Sequence, residues 1–140
     1  MMKFWQKTAN EIWTGRDDSH ESQAAKRMFQ VVPIVEEPQF NFSERNALIG
    51  FACDEGVKRN RGRVGAAEAP DQLRRVFANF AAHQGHEKLI DCGTIHYRES
   101  LEATQNALTD LVVLLQRSHN KTVVLGGGHE TAYAHGLGLY

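Results

Sequence analysis

The sequence predicts an α/β fold built on a parallel sheet, and three observations carry that reading. A short, continuous apolar run at residues 47–53 has the pattern of a buried strand, and shorter segments at 89–91 and 122–125 read as a second and a third strand. Between them lie two stretches whose apolar residues recur at helical spacing. The resulting order of strand, helix, strand, helix, strand and helix start is the grammar of right-handed parallel crossovers.

The first 45 residues are the least regular. They hold Trp5 and Trp13, a polar stretch and then Val31-Val32-Pro33-Ile34-Val35. Residues 1–45 read as an N-terminal arm with at most one short helix near 22–29. The two Trp side chains are expected to anchor this arm to the domain rather than to stack on a ligand. Residues 46–140 read as part of a single α/β domain. The run Ala47-Leu48-Ile49-Gly50-Phe51-Ala52-Cys53 ends in Asp54-Glu55-Gly56, a strand feeding a loop, and a Gly/Arg-rich loop follows over 57–69. Pro70 suits the first position of a helix over 70–82 because its φ is preset and its missing N–H would be unpaired there. Leu73, Val76, Phe77, Phe80 and Ala81 fall on one face of that helix.

The second strand, 89–91, is expected to end in a turn at Cys92-Gly93, with Asp91 as a turn or N-cap residue. Ser100 is a candidate N-cap for a helix over 101–118 whose apolar stripe is Leu101, Leu108, Leu111, Val112 and Leu115. The third strand ends in Gly126-Gly127-Gly128-His129-Glu130, and a further helical segment begins near Thr131. Three strands are few for a doubly wound sheet. The chain is therefore expected to be the incomplete N-terminal part of a larger α/β protein, with an apolar sheet edge prone to association.

Composition narrows the function classes. With 16 Lys+Arg against 17 Asp+Glu, the chain carries no field that would recruit nucleic acid or an anionic membrane. Its apolar runs are far shorter than the roughly 20 residues of a spanning helix, and no secretory h-region opens the chain. Cys53 and Cys92 are too few for a disulfide framework or a thiolate zinc site and read as small buried hydrophobes. A reducing, cytoplasmic location fits that usage.

In open α/β sheets, ligands sit outside the carboxyl ends of the strands. Three consecutive glycines there clear side chains from a tight turn, and His129 follows at once, placed for metal ligation or general-base work. The alternative is a plain strand-to-helix turn with His129 as a capping or surface residue. No Lys follows the glycines, so this is not a phosphate loop, and Tyr133 excludes His-Glu-x-x-His. His135 reads as structural or exposed. Lys58, Arg59, Arg61 and Arg63 lie within six positions, interleaved with Asn60, Gly62 and Gly65. A guanidinium fits a carboxylate through two parallel hydrogen bonds, which suggests an anionic small-molecule substrate. The alternative is a solvated basic loop.

These stretches together resemble the ureohydrolase family, which includes arginases, agmatinases and formimidoylglutamases. Leu125-Gly126-Gly127-Gly128-His129-Glu130 is similar to the family's first metal motif. The segment from Gly56 through Arg63 to Ala69-Pro70-Asp71-Gln72-Leu73-Arg74 resembles its Gly-rich loop and Pro-led helix, and Asp91-Cys92-Gly93 its Asp-x-Gly. Gly-Gly-Gly-His-Glu in place of Gly-Gly-Asp-His-Ser, with Trp13-Thr14-Gly15-Arg16-Asp17-Asp18, points to the formimidoylglutamase branch. The resemblance implies a three-layer α/β/α fold and hydrolysis of N-formimidoyl-L-glutamate to L-glutamate and formamide. It implies two Mn2+ per subunit that activate a water, His129 as a ligand to one of them, Glu130 as a residue orienting a ligand, and a homo-oligomer. Arg61, Arg63 and Asn60 are the candidate substrate-binding residues. The family's remaining metal motifs are absent from this sequence, so activity is expected only of a longer protein. The competing expectations are another ureohydrolase acting on a guanidino or amidino acid, or a truncated non-catalytic paralogue.

Overall fold

The strand Asn46–Ala52, which takes up most of the apolar run at 47–53, lies at the centre of the parallel sheet. The computed structural model describes residues 2–140. Its four strands are β1 (Trp5–Gln6), β2 (Asn46–Ala52), β3 (Leu89–His96) and β4 (Lys121–Leu125), in the spatial order β1-β3-β2-β4. β2 pairs in parallel with both β3 and β4, as the crossover order predicts. β1 adds to the other edge of β3 in the antiparallel sense. Four α-helices complete the fold: α1 (Glu55–Arg59), α2 (Ala69–Ala78), α3 (Leu101–Arg117) and α4 (Glu130–Leu139).

The alternation of side chains along β2 assigns the layers. Ala47, Ile49 and Phe51 point to one face, where Leu108, Leu111, Val112 and Leu115 of α3 and Ala134 of α4 bury them. Leu48 points to the other face, with Ala78 of α2 and Trp13, Met28 and Val32 of the arm. The result is a three-layer α/β/α arrangement. α3 matches its expected stripe, and Ser100 caps it by accepting a hydrogen bond from Ala103 N at 3.0 Å.

Several expectations are corrected. α2 ends at Ala78, short of residue 82, and only part of its expected apolar stripe faces the core: Phe77 is half-buried against Trp13, with ring centroids 6.1 Å apart. Leu73, Val76 and Phe80 are 48%, 61% and 54% exposed, whereas Pro70, Arg74 and Ala78 form the buried face. The stripe instead walls an apolar groove with Leu48, Val123 and Leu125, beside the open edge of β4. The loop at 57–69 is not wholly irregular, because α1 and a short 3-10 turn at Ala66–Glu68 occupy its two ends. The arm carries three 3-10 turns, at Asn10–Ile12, Gln23–Ala25 and Met28–Gln30, instead of one helix near 22–29.

Asp91 is neither a turn nor an N-cap residue. β3 continues through Cys92-Gly93 to His96, and the turn expected there is a bulge: Leu48 pairs with Asp91 but Gly50 with Thr94. Gly93 sits at φ +78°, and a Cβ on it would lie 2.6 Å from the Gln6 carbonyl. The Asp91 carboxylate is fully buried and accepts from Thr8 Oγ1 (3.0 Å), Trp13 Nε1 (2.6 Å), Arg74 Nη2 (2.8 Å) and Gly93 N (3.0 Å). Arg74 also donates to Thr94 Oγ1 and to the Gly93 carbonyl. The guanidinium fits inside the sheet-helix interface because residue 50 is glycine; a Cβ there would lie 2.8 Å from Arg74 Nη1 and 2.2 Å from Thr94 Oγ1. Trp5 Nε1 donates to the Cys92 carbonyl at 2.7 Å, so both tryptophans tie the arm to β3, as expected. Cys53 and Cys92 are buried free thiols, and burial pushes both of their pKa values up.

Candidate functional site

The carboxyl ends of β2 and β4 are joined by two facing turns. After β4, Gly126 and Gly127 adopt φ of +80° and +74°, a backbone region that other residues enter only with strain. Space demands glycine there as well. A Cβ on Gly126 would lie 2.4 Å from Pro70 Cδ, and one on Gly127 would lie 2.2 Å from Thr131 Oγ1. Gly127 N donates to the Ala66 carbonyl at 3.3 Å, so the turn leans on the start of α2.

After β2, Asp54 holds the basic loop closed. Its Oδ1 accepts from Gly65 N (3.2 Å) and Ala67 N (2.9 Å), which ties the two ends of the loop together. Within it, Asn60 N reaches the Gly56 carbonyl at 3.0 Å, Arg61 N the Lys58 carbonyl at 3.0 Å, and Gly62 N the Val57 carbonyl at 2.8 Å. This tight winding sets Arg61 at φ +54°.

The two turns face each other across a cavity of about 370 Å3 lined by Gly56, Val57, Asn60, Gly62, His129 and Glu130. The structure therefore brings His129 and Asn60 to one site. His129 precedes α4 without capping it, and its side chain remains exposed. Arg61 and Arg63 are exposed on the same loop but do not line this cavity. Among the described residues neither is in an ion pair, whereas Arg59 is bound to Glu55 and Glu102, each at 3.1 Å. One of the four loop cations is thus consumed by the fold.

Glu130 is held more closely than its place in the sequence suggests. Its Oε1 accepts from Gly128 N at 3.3 Å. A Cβ on Gly56 or Gly128 would lie 2.5 Å or 2.2 Å from Glu130 Oε2, so both glycines clear room for the carboxylate. The Cys53 thiol lies beneath; burial first, and then the Glu130 charge, raises its pKa and keeps it protonated. His96, at the carboxyl end of β3, has its pKa lowered by burial. Sequence reasoning passed over His96 because no spacing links it to another candidate. His135 is structural, with Nε2 2.8 Å from Thr122 Oγ1. Among the described residues no three His, Cys, Asp or Glu side chains gather closely enough to hold a metal ion. No described helix is long and apolar enough to cross a membrane.

Comparison with known proteins places this geometry. The solved structure of Trypanosoma cruzi formiminoglutamase (oxidized), with Mn2+, shares the fold with a TM-score of 0.66 at 24% identity, over 82% of this chain and 41% of that one. Curated formimidoylglutamases from Citrobacter koseri and Klebsiella pneumoniae (strain 342) are 52% and 50% identical over 99% of the chain. The chain spans under half their length, 45% and 44% respectively. The arginase family model matches residues 44–140, from just before β2 through both facing turns to the end of α4. With its central sheet, its basic loop and its Gly-Gly-Gly-His-Glu turn all inside that match, the chain belongs to the arginase family.

Proposed function

We propose that this chain forms the N-terminal part of a formimidoylglutamase, which hydrolyses N-formimidoyl-L-glutamate to L-glutamate and formamide. The observation that carries the reading is identity of 50% or more, over 99% of the chain, to curated enzymes of that name. The cavity supports it chemically. It presents an imidazole and an amide at the carboxyl end of a parallel sheet, and unpaired guanidinium groups stand on the adjoining loop. A substrate with two carboxylates suits such a loop.

The residues present fit one corner of a metal centre rather than a whole one. His129 offers a single exposed imidazole, and a divalent ion of manganese type prefers oxygen-rich shells of high coordination number. His129 would hold one of two Mn2+ ions, whose further ligands would come from length beyond that of this chain. Two such ions supply an activated water and charge stabilisation for attack at the formimidoyl carbon. Around them, Glu130 fixes the turn that aims His129, because its carboxylate is tied to Gly128 N and wedged against Gly56. Asn60 would hydrogen-bond the bound substrate from across the cavity. Arg61 and Arg63 would swing from solvent onto the substrate carboxylates. The working protein would be a cytoplasmic homo-oligomer.

The test uses a protein that carries this chain together with the further length found in its relatives. Formamide release from N-formimidoyl-L-glutamate, with arginine and agmatine left intact, is the expected result. Turnover of arginine or agmatine in its place would move the chain to another branch of the family. Loss of one metal per subunit on His129→Ala, read by metal analysis after dialysis, is the expected result for the ligand role. Full occupancy in that variant would remove His129 from the metal shell.

A further inference from the structure

Arg45, Lys88 and Lys121 stand where the three parallel strands begin, at the end of the sheet opposite His129. The register gathers them. Asn46, next to Arg45, pairs both with Leu89, next to Lys88, and with Lys121 itself. Neighbouring strands lie about 4.8 Å apart, so like charges are held side by side at the heads of three adjacent strands. All three cations line one cavity of about 510 Å3, with Glu44, Asn46 and His119.

The frame of this cavity is built from buried hydrogen bonds. Asn120, 1% exposed, accepts from Arg45 N at 2.9 Å and donates to the Leu115 and Phe42 carbonyls, each at 3.1 Å. Lys121 N in turn donates to the Arg45 carbonyl at 2.8 Å. The Arg45 guanidinium is steadied by donation to the Glu87 carbonyl, a neutral partner that leaves its charge uncompensated. Among the described residues none of the three cations is in an ion pair, and Glu44 is the one carboxylate on the wall. A concave wall with three cations and one anion concentrates positive potential and attracts a compact counter-charge.

We propose that this cavity binds a small multivalent oxyanion, a polycarboxylate or a phosphate ester, at a site separate from the His129 cavity. Lys88 and Lys121 would meet the ligand as flexible point charges, and Arg45 as a fixed planar donor. The site stands on the register and the buried Asn120 frame, so it is independent of the hydrolytic reading.

Isothermal titration of the metal-free protein that carries this chain together with the further length found in its relatives, with citrate and with pyrophosphate at an ionic strength held constant with sodium chloride, tests it. Saturable one-to-one binding of either anion supports the proposal; citrate alone marks a polycarboxylate site and pyrophosphate alone a phosphate-ester site. Lys88→Gln with Lys121→Gln should weaken that binding about tenfold or more, since charge-assisted hydrogen bonds are lost. Both side chains are exposed, so the variant should keep the wild-type circular dichroism spectrum. Arg75→Gln, an exposed charge on α2 that lines neither cavity, should leave the affinity unchanged. Heats no greater than the chloride control, or binding of undiminished affinity in the Lys88/Lys121 variant, would overturn the proposal.

Discussion

Asp91 and His129 belong to one sheet but treat their polar atoms in opposite ways. The Asp91 carboxylate is sealed from water and saturated by four donors from the arm, α2 and β3. His129 lies in the turn after β4, a strand two positions away in the sheet order, yet it stands exposed and its side chain caps nothing. Both regions are rich in charge. In the first, every charge is spent on holding layers together; in the second, the fold secures the backbone through Asp54 and the glycines and leaves side chains free. Charge density alone therefore does not mark a site. Whether the charge is already answered from within does.

Removing one partner of the buried pair should break this contrast most severely. Asp91→Ala strands the Arg74 guanidinium in the interior, at a cost of about 3–5 kcal/mol in urea unfolding. Arg74→Met with Asp91→Leu should recover most of that loss, since no charge is then left unanswered. A single variant within 1 kcal/mol of wild type, by the scale of exposed pairs, would show that the network is ornamental. Trp13→Phe keeps the ring and deletes the 2.6 Å bond to Asp91. It should lower stability by about 1.5–3 kcal/mol, and an unchanged urea midpoint would separate the arm from the core.

Acidity sharpens the comparison more gently. Burial holds the His96 and His135 pKa values below the ordinary 6.5, so both rings resist protonation in the fold but not in the unfolded chain. The unfolded state then binds more protons, and stability should decline as pH falls below about 6.5 while staying level above it. Asp17, Asp18, Glu87 and Glu102 have lowered pKa values and bring their own loss only near pH 4, where unfolded carboxylates titrate. Tm followed from pH 7.5 to 5.5 should therefore fall, and His96→Gln with His135→Gln should flatten the curve. The smallest effect belongs to the open site. Asn60→Ala, Arg61→Ala, Arg63→Ala and His129→Ala should each leave Tm unchanged, because none of these side chains is enclosed. A marked drop in any of them would assign that residue to the fold.

The parallel core was legible because burial on both faces writes an unbroken apolar run, and Ala47 through Cys53 is such a run. α3 was legible because its stripe is the one that packs. α2 was only half legible for a physical reason: Phe77 of its apolar stripe packs, but Leu73 and Val76 do not, and the buried face carries an arginine. Nothing near Arg74 in the chain announces that its partner is Asp91, 17 positions away, or that Trp13 and Thr8 complete the set. β1 is only two residues long and leaves no period to detect. At the site, the glycines and His129 marked one end of the sheet, and the structure shows Asn60 lining the same cavity as His129. The role of Gly56 and Gly128 in seating Glu130 depends on two turns meeting in space, which spacing along the chain does not encode.

The order of the strands also bears on how such a protein is born. β2, β3 and β4 all fall between residues 46 and 125, and the two parallel strand pairings, β2 with β3 and β2 with β4, lie within that span. A ribosome adding about 5–20 residues each second exposes the whole span within seconds, before later parts of a protein of its relatives' length have been made. The three strands and α3 can close early around Ile49 and Leu111. The stripe of Leu73, Val76 and Phe80 and the open edge of β4 stay wet in the meantime. That interval is when a nascent chain is most vulnerable to capture by its neighbours on the polysome. Slower translation lengthens it, so synonymous codon choice downstream of this span should affect yield without altering a single side chain.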